Sequence, residues 1–105
     1  MNDSFTPVSI SDKAMKEVKA IMSNKGIPNN YGLRVGIQGV GCAGISFLVG
    51  FDKEKESDVV FEKEGVSILV EKKHVMYLIG TELDFYDGAD ERGFVFNSKK
   101  KEEIP

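Results

Sequence analysis

The stretch from Ile37 to Phe47, IQGVGCAGISF, sets one thiol among residues with almost no side chain. Gly39 and Gly41 precede Cys42, and Ala43 and Gly44 follow it. A thiolate is both a nucleophile and a soft metal ligand, and its availability depends on exposure and local charge. Glycines on either side leave the sulfur little cover, and they permit turns with positive φ that bring N–H groups toward it. The same residues also fit a plain structural role, because free cysteines are among the most buried side chains. The residue types alone leave both readings open. Cysteine catalysis is not indicated: a nucleophile needs a base, and the one histidine, His74, lies far off in sequence with no signature joining the two.

The remaining polar residues offer weaker chemistry. Cys42 is the only cysteine of the chain, so no intramolecular disulfide forms, and the thiol is free, metal-bound or linked to another molecule. His74 sits on the polar side of KKHVMYLIG beside Lys72 and Lys73, with no second ligand at metal-binding spacing, and reads as a surface or capping histidine. The acidic run DFYDGADE contains Asp84, Asp87, Asp90 and Glu91 but lacks the alternating oxygen donors and terminal glutamate of a calcium loop. A turn of solvated carboxylates is expected there.

Positioning these groups falls to a single small domain, since 105 residues bury one core and little more. Fourteen Lys and Arg stand against 17 Asp and Glu, a formal net charge of -3, which supplies no basic field for a nucleic-acid partner. Residues 1–7 lack the pattern of a signal peptide, and no apolar run approaches the roughly 20 residues of a membrane helix. A cytoplasmic protein without a membrane partner is the expectation.

SISDKAMKEVKAIMSNKG reads as a first helix, capped by Ser11 or Ser9 and closed at Lys25 and Gly26, with Ala14, Val18, Ile21 and Met22 as its apolar stripe. From Tyr31 the period becomes two: Leu33, Val35 and Ile37 share one face, with Arg34 and Gln38 on the other. Ile45, Phe47, Val49 and Phe51 repeat the pattern beyond the glycine loop, so Cys42 is placed between two antiparallel strands. DVVFEKEGVSILVEK predicts a hairpin turning at Lys63-Glu64-Gly65. KKHVMYLIG predicts a short second helix ending at Gly80, with Val75, Met76, Leu78 and Ile79 as its apolar face, and TELDFYDG and GFVFN complete the strands. Phe47, Phe51, Phe61, Phe85, Phe94 and Phe96 fall in these strands and are assigned to packing. The fold class is α+β, of mixed, mostly antiparallel strands with an N-terminal helix and a short second helix.

The blocks SDKAMKEVKAIM, YGLRVGIQGVGCAGISFLVGFD, VVFEKEGVSILVEKKHVMYLIGTELDFYDG and GFVFN, in this order, resemble the HesB/IscA family of A-type iron–sulfur carriers over nearly the whole chain. The resemblance implies a compact α+β domain, over residues 1–97; the last stretch, SKKKEEIP at 98–105, is charged and without periodicity and reads as a flexible tail. The resemblance further implies a homo-oligomer that binds iron or a labile iron–sulfur cluster and exchanges it with cluster donor and acceptor proteins, as a carrier and not an enzyme.

The family uses one cysteine in the glycine loop, matched by Cys42, and a Cys-Gly-Cys near its C-terminus. That pair has no counterpart in these 105 residues, and its first member falls near Ile104. Ile104 in place of a cysteine favours a natural variant over a shortened chain. Cys42 is then the one candidate for binding both cofactor and metal, and two protomers supply two of the four thiolates a cluster usually takes. Glutathione, a client cysteine, water, or an oxygen donor such as Glu102 or Glu103 would complete the set, although KKKEE more commonly forms a solvated end. Two other functions are kept beside this one: a divergent interaction module without cluster chemistry, and a thiol redox protein forming a mixed disulfide through Cys42.

Overall fold

The computed structural model describes residues 7–42 and 44–98. A first strand, β1 (Ser9–Ile10), leads into α1 (Asp12–Asn24), followed by β2 (Tyr31–Gly41), β3 (Gly44–Lys53), β4 (Asp58–Lys63) and β5 (Val66–Glu71). A 3-10 turn (Lys72–His74) passes into the single turn α2 (Val75–Leu78), and β6 (Thr81–Asp87) and β7 (Arg92–Ser98) close the fold. The strands form two sheets, one in the order β1-β6-β7 and one in the order β3-β2-β5-β4. Strand β1 runs parallel to β6 and β2 parallel to β5, while the β2–β3, β4–β5 and β6–β7 pairs are antiparallel hairpins. This is the expected α+β class, with mostly antiparallel strands.

The core follows the sequence periodicities. Leu33, Val35 and Ile37 of β2, Ile68 and Val70 of β5, and Leu83 and Phe85 of β6 meet Ala14, Met15 and Val18 of α1. Phe47, Phe51, Phe61, Phe94 and Phe96 pack around this cluster, and Phe47 stacks on Phe96 at a centroid distance of 4.3 Å. The aromatic residues thus serve packing, as expected, joining β3 of one sheet to β7 of the other.

Three details differ from the sequence reading. Ser9 belongs to β1, and Ser11 alone caps α1: its Oγ accepts the Ala14 N–H at 3.1 Å and donates to Asp84 Oδ1 at 2.6 Å. Local propensity placed Ser9 at the helix start, but pairing with β6 draws Ser9 and Ile10 into a strand. Met15 is fully buried in the helix stripe, because α1 packs with a face broader than the i, i+4 row through Ala14 and Val18. In the second helical segment Leu78 is buried, whereas Met76 and Ile79 are exposed at 81% and 48%. A single turn presents only one side to the core, so a stripe of four apolar residues does not fit beneath it.

The Cys42 hairpin, a candidate cluster-binding site

Cys42 lies between β2 and β3, at the tip of the longest hairpin in the described structure, and is exposed. The pairing runs from Tyr31↔Lys53 at the root to Gly41↔Gly44 at the tip, with an irregularity between Ile37 and Gly39 that leaves Gln38 unmatched. An extra residue of this kind bends the ribbon and increases its twist. Past the bulge the side chains lose the cover of the core: Val40 and Ile45, paired across the ribbon, are exposed at 63% and 40%. The thiol therefore stands at the end of an arm whose last apolar pair faces solvent.

The glycines around it are explained by backbone conformation and by openness. Gly44 has φ +119, a conformation that L side chains rarely adopt. A Cβ added at Gly39 or Gly41 would meet no atom within 4 Å. These two positions are not small to satisfy packing within the chain, and their effect is to keep the surroundings of the thiol bare.

Charged and polar contacts fix the root of the arm. Arg34 of β2 donates through Nη1 and Nη2 to the two carboxylate oxygens of Asp58 at 2.8 and 2.7 Å, and through Nε to Asp52 Oδ2 at 2.9 Å. Its Nη2 also reaches the Lys53 carbonyl at 3.2 Å. The Asp58 side chain has no exposed surface and also accepts the Lys55 N–H at 2.7 Å. Hydrogen bonds from Arg34 hold the Asp58 carboxyl below the usual carboxylate range, and Asp58 in turn raises the guanidinium pKa. Asp52 is also lowered, first by the Lys53 N–H and then by Arg34. One cation thus ties together β2, the end of β3 and the start of β4.

His74 supports the arm further along. Strand β5 accompanies β2 at Leu33 and Arg34 and then turns away into the Lys72–His74 segment. The imidazole takes over the vacated edge: its Nδ1 accepts the Ile37 N–H at 3.3 Å. A Cβ at Gly36 would lie 3.0 Å from that nitrogen, so a side chain there would press on the ring where it crosses the strand. His74 is a capping residue, as expected, although what it caps is a strand edge.

Among the described residues, no three His, Cys, Asp or Glu side chains converge as a metal site. Asp84 departs from the picture of a solvated carboxylate. It accepts the Ser11 hydroxyl and the Phe85 N–H at 2.8 Å, and these two bonds, the hydroxyl first, lower its pKa. Asp87 pairs with Arg92 at 2.9 Å across the β6–β7 hairpin. Glu102, Glu103 and Ile104 lie outside the described residues, as does the expected tail apart from Ser98 at the end of β7. Arg34, Asp52 and Asp58 form a group that no local pattern marks: the sequence shows their alternation with buried neighbours but nothing that pairs them.

Comparison with known proteins converges on one family. The family described as iron–sulphur cluster biosynthesis matches residues 6–101. The iron-binding protein IscA of Yersinia enterocolitica is 40% identical over 92 residues, which cover 87% of this chain and 84% of that protein. The IscA of Serratia proteamaculans is 39% identical over the same shares. Among solved structures, Escherichia coli SufA, involved in biosynthesis of iron–sulfur clusters, superposes with a TM-score of 0.76 at 22% identity, covering all of this chain and 92% of that one. IscA with a [2Fe-2S] cluster gives a TM-score of 0.73 at 17% identity, over 87% and 84% of the two chains. At these identities the two structures speak for the fold alone.

Proposed function

Because the chain belongs to the iron–sulphur cluster biosynthesis family, we propose that it carries iron or a labile iron–sulfur cluster on the Cys42 thiolate and passes it to an acceptor protein. The observation that supports this most directly is the placement of the one thiol, exposed at the tip of an arm and flanked by glycines. Thiolates are the soft ligands that iron–sulfur clusters require, and a cluster usually takes four. Each copy of the 105-residue sequence contributes one thiolate. The others come from Cys42 of a second protomer in a homo-oligomer, from a cysteine of the donor or acceptor protein, or from glutathione. Cargo held this way is weakly bound and open to ligand exchange, which suits a carrier and not an enzyme. A cytoplasmic setting fits this role, because thiols stay reduced there.

Anaerobic reconstitution with iron and sulfide tests the reading. The unmodified protein is expected to develop visible charge-transfer absorption, and Cys42→Ser is expected to develop none. Equal absorption in both, or absorption in neither, would refute Cys42 as the cargo ligand. A second reading, thiol redox exchange, is favoured by the same exposure; on incubation with glutathione disulfide the Cys42 thiolate would attack one sulfur and release glutathione, leaving a mixed disulfide visible as a mass increase that a reductant reverses.

A further inference from the structure

Strand β1 is an end strand of one sheet and β4 is an end strand of the other. Residues 8–12 and 61–63, with Glu82 of β6, line a cleft of about 510 Å³ between these two edges. The Ser11 N–H bonds to the Leu83 carbonyl of β6, so the backbone groups of Ile10, one residue earlier, point away from β6. The Ile10 carbonyl accordingly meets Lys63 Nζ at 2.8 Å, on the β4 side.

The phase of β4 follows from its two ends. Glu64 and Gly65 both have positive φ, as in the two-residue turn whose first residue, here Lys63, accepts the N–H of its last, Val66. At the other end the Lys72 N–H bonds to the Ser57 carbonyl at 2.9 Å. Bonded and unbonded positions alternate along an antiparallel pair, so Val59 and Phe61 bond to β5, whereas Val60 and Glu62 turn their N–H and C=O groups to the outer edge. Among the described residues no strand pairs with that edge.

Charge and polarity restrict what the cleft accepts. It carries the carboxylates of Asp12, Glu62 and Glu82 against one ammonium, Lys63, which is already committed to the Ile10 carbonyl. Among the described residues none of the three carboxylates is in an ion pair. Val8, Ile10 and Phe61 supply an apolar lining.

We propose that the cleft receives an extended segment of a partner protein, with alternating apolar and cationic side chains, which adds to the outer edge of β4 as a further strand. The backbone groups of Val60 and Glu62 hold its main chain, and the alternation of a strand sets its side chains. A residue opposite Phe61 turns toward the apolar lining, because Phe61 packs on the core; a residue opposite Glu62 shares the exposed face with that carboxylate and is a lysine or arginine. Asp12 and Glu82 attract the neighbouring cations. The carboxylate of Glu62 sets like charges against a second copy of this edge, so the site selects a strand of opposite charge. Strands β4 and β3 are opposite ends of one sheet, and a segment bound here leaves the Cys42 arm open. The pairing depends on no metal and stands apart from the cargo reading.

Fluorescence anisotropy of a labelled peptide of alternating lysine and valine, on the full chain under reducing conditions, tests this. Saturable binding is expected, weakening with added salt, and a peptide of alternating glutamate and valine is expected not to bind. Glu62→Lys is expected to weaken the lysine peptide at least tenfold, whereas Glu91→Lys, the same charge change in the β6–β7 turn, leaves it within twofold. Val60→Pro removes an outward N–H, which an edge strand tolerates, and is expected to weaken binding with no change of charge. Should that variant fold poorly, hydrogen exchange on the unmodified protein decides: bound peptide is expected to slow the Val60 and Glu62 amides at least tenfold. No saturable binding, equal loss in Glu62→Lys and Glu91→Lys, or binding that leaves the Val60 and Glu62 amides unprotected would overturn the proposal.

Discussion

Removing the Asp58 carboxylate should loosen the arm that carries Cys42, and the cost follows from its contacts. Asp58 has no exposed side-chain surface, receives two hydrogen bonds from Arg34 and one from the Lys55 N–H, and is the partner that chiefly holds Arg34 in place. Breaking a buried ion pair by deleting one partner costs about 3–5 kcal/mol, because the other charge stays behind uncompensated. Here Arg34 itself covers the carboxylate near the sheet surface and keeps Asp52 as a second partner, so Asp58→Ala is assigned the low end, about 3 kcal/mol. For a domain of this size that corresponds to a fall in Tm on the order of 10–20 °C. The assay is urea denaturation of the wild type and the variant under reducing conditions, with thermal unfolding as a second probe.

The pH dependence gives an independent check on sign. Arg34 lowers the Asp58 pKa in the folded protein, so the stabilisation is complete above the unfolded value of about 3.9 and is lost as the pH falls through the folded value. The stability gap between wild type and Asp58→Asn should be constant near neutrality and shrink on acidification below about pH 4. A loss under 1 kcal/mol for Asp58→Ala, or a gap that widens in acid, would show that the network is not what secures the hairpin root.

Three further outcomes are expected. Native Cys42 should react with iodoacetamide at nearly the rate of the unfolded chain, since neither burial nor neighbouring side chains shield it; protection of a hundredfold would contradict its position at the arm tip. His74→Ala should cost about 1 kcal/mol and speed hydrogen exchange at the Ile37 amide above its neighbours, and Gly36→Ala should produce the same exchange signature by displacing the ring. Exchange at Ile37 that is unchanged in both variants would remove the capping role. Ser11→Ala should cost about 1 kcal/mol through loss of the α1 cap, and it should raise the Asp84 pKa toward its ordinary value, read by carboxyl NMR titration. An unmoved Asp84 titration would show that the hydroxyl is not its main partner.

The class of fold and the setting of the thiol were legible along the chain because both rest on short-range patterns. Alternation at Leu33, Val35 and Ile37, its return at Ile45 to Phe51, and the glycines between them define a hairpin with Cys42 at its turn. The helix from Asp12 and the turn at Glu64 and Gly65 are equally local. The family resemblance added the chemistry of the thiol, which periodicity alone left open between a buried filler and an exposed ligand.

Contacts between segments distant in sequence were decided only on folding. Ser9 and Ile10 form a strand because β6 lies beside them, Asp84 accepts a hydrogen bond from a serine at the other end of the chain, and Met76 is left outside because one helical turn has one inner side. Arg34 finds Asp58, and His74 finds Ile37, across gaps that no periodicity spans. Exposure of Cys42 belongs to this second group. The sequence determined that the sulfur sits in a bare turn; that the turn projects past the core, into solvent, was decided by where the partner strand β5 leaves β2 and by the bulge that bends the ribbon beyond it.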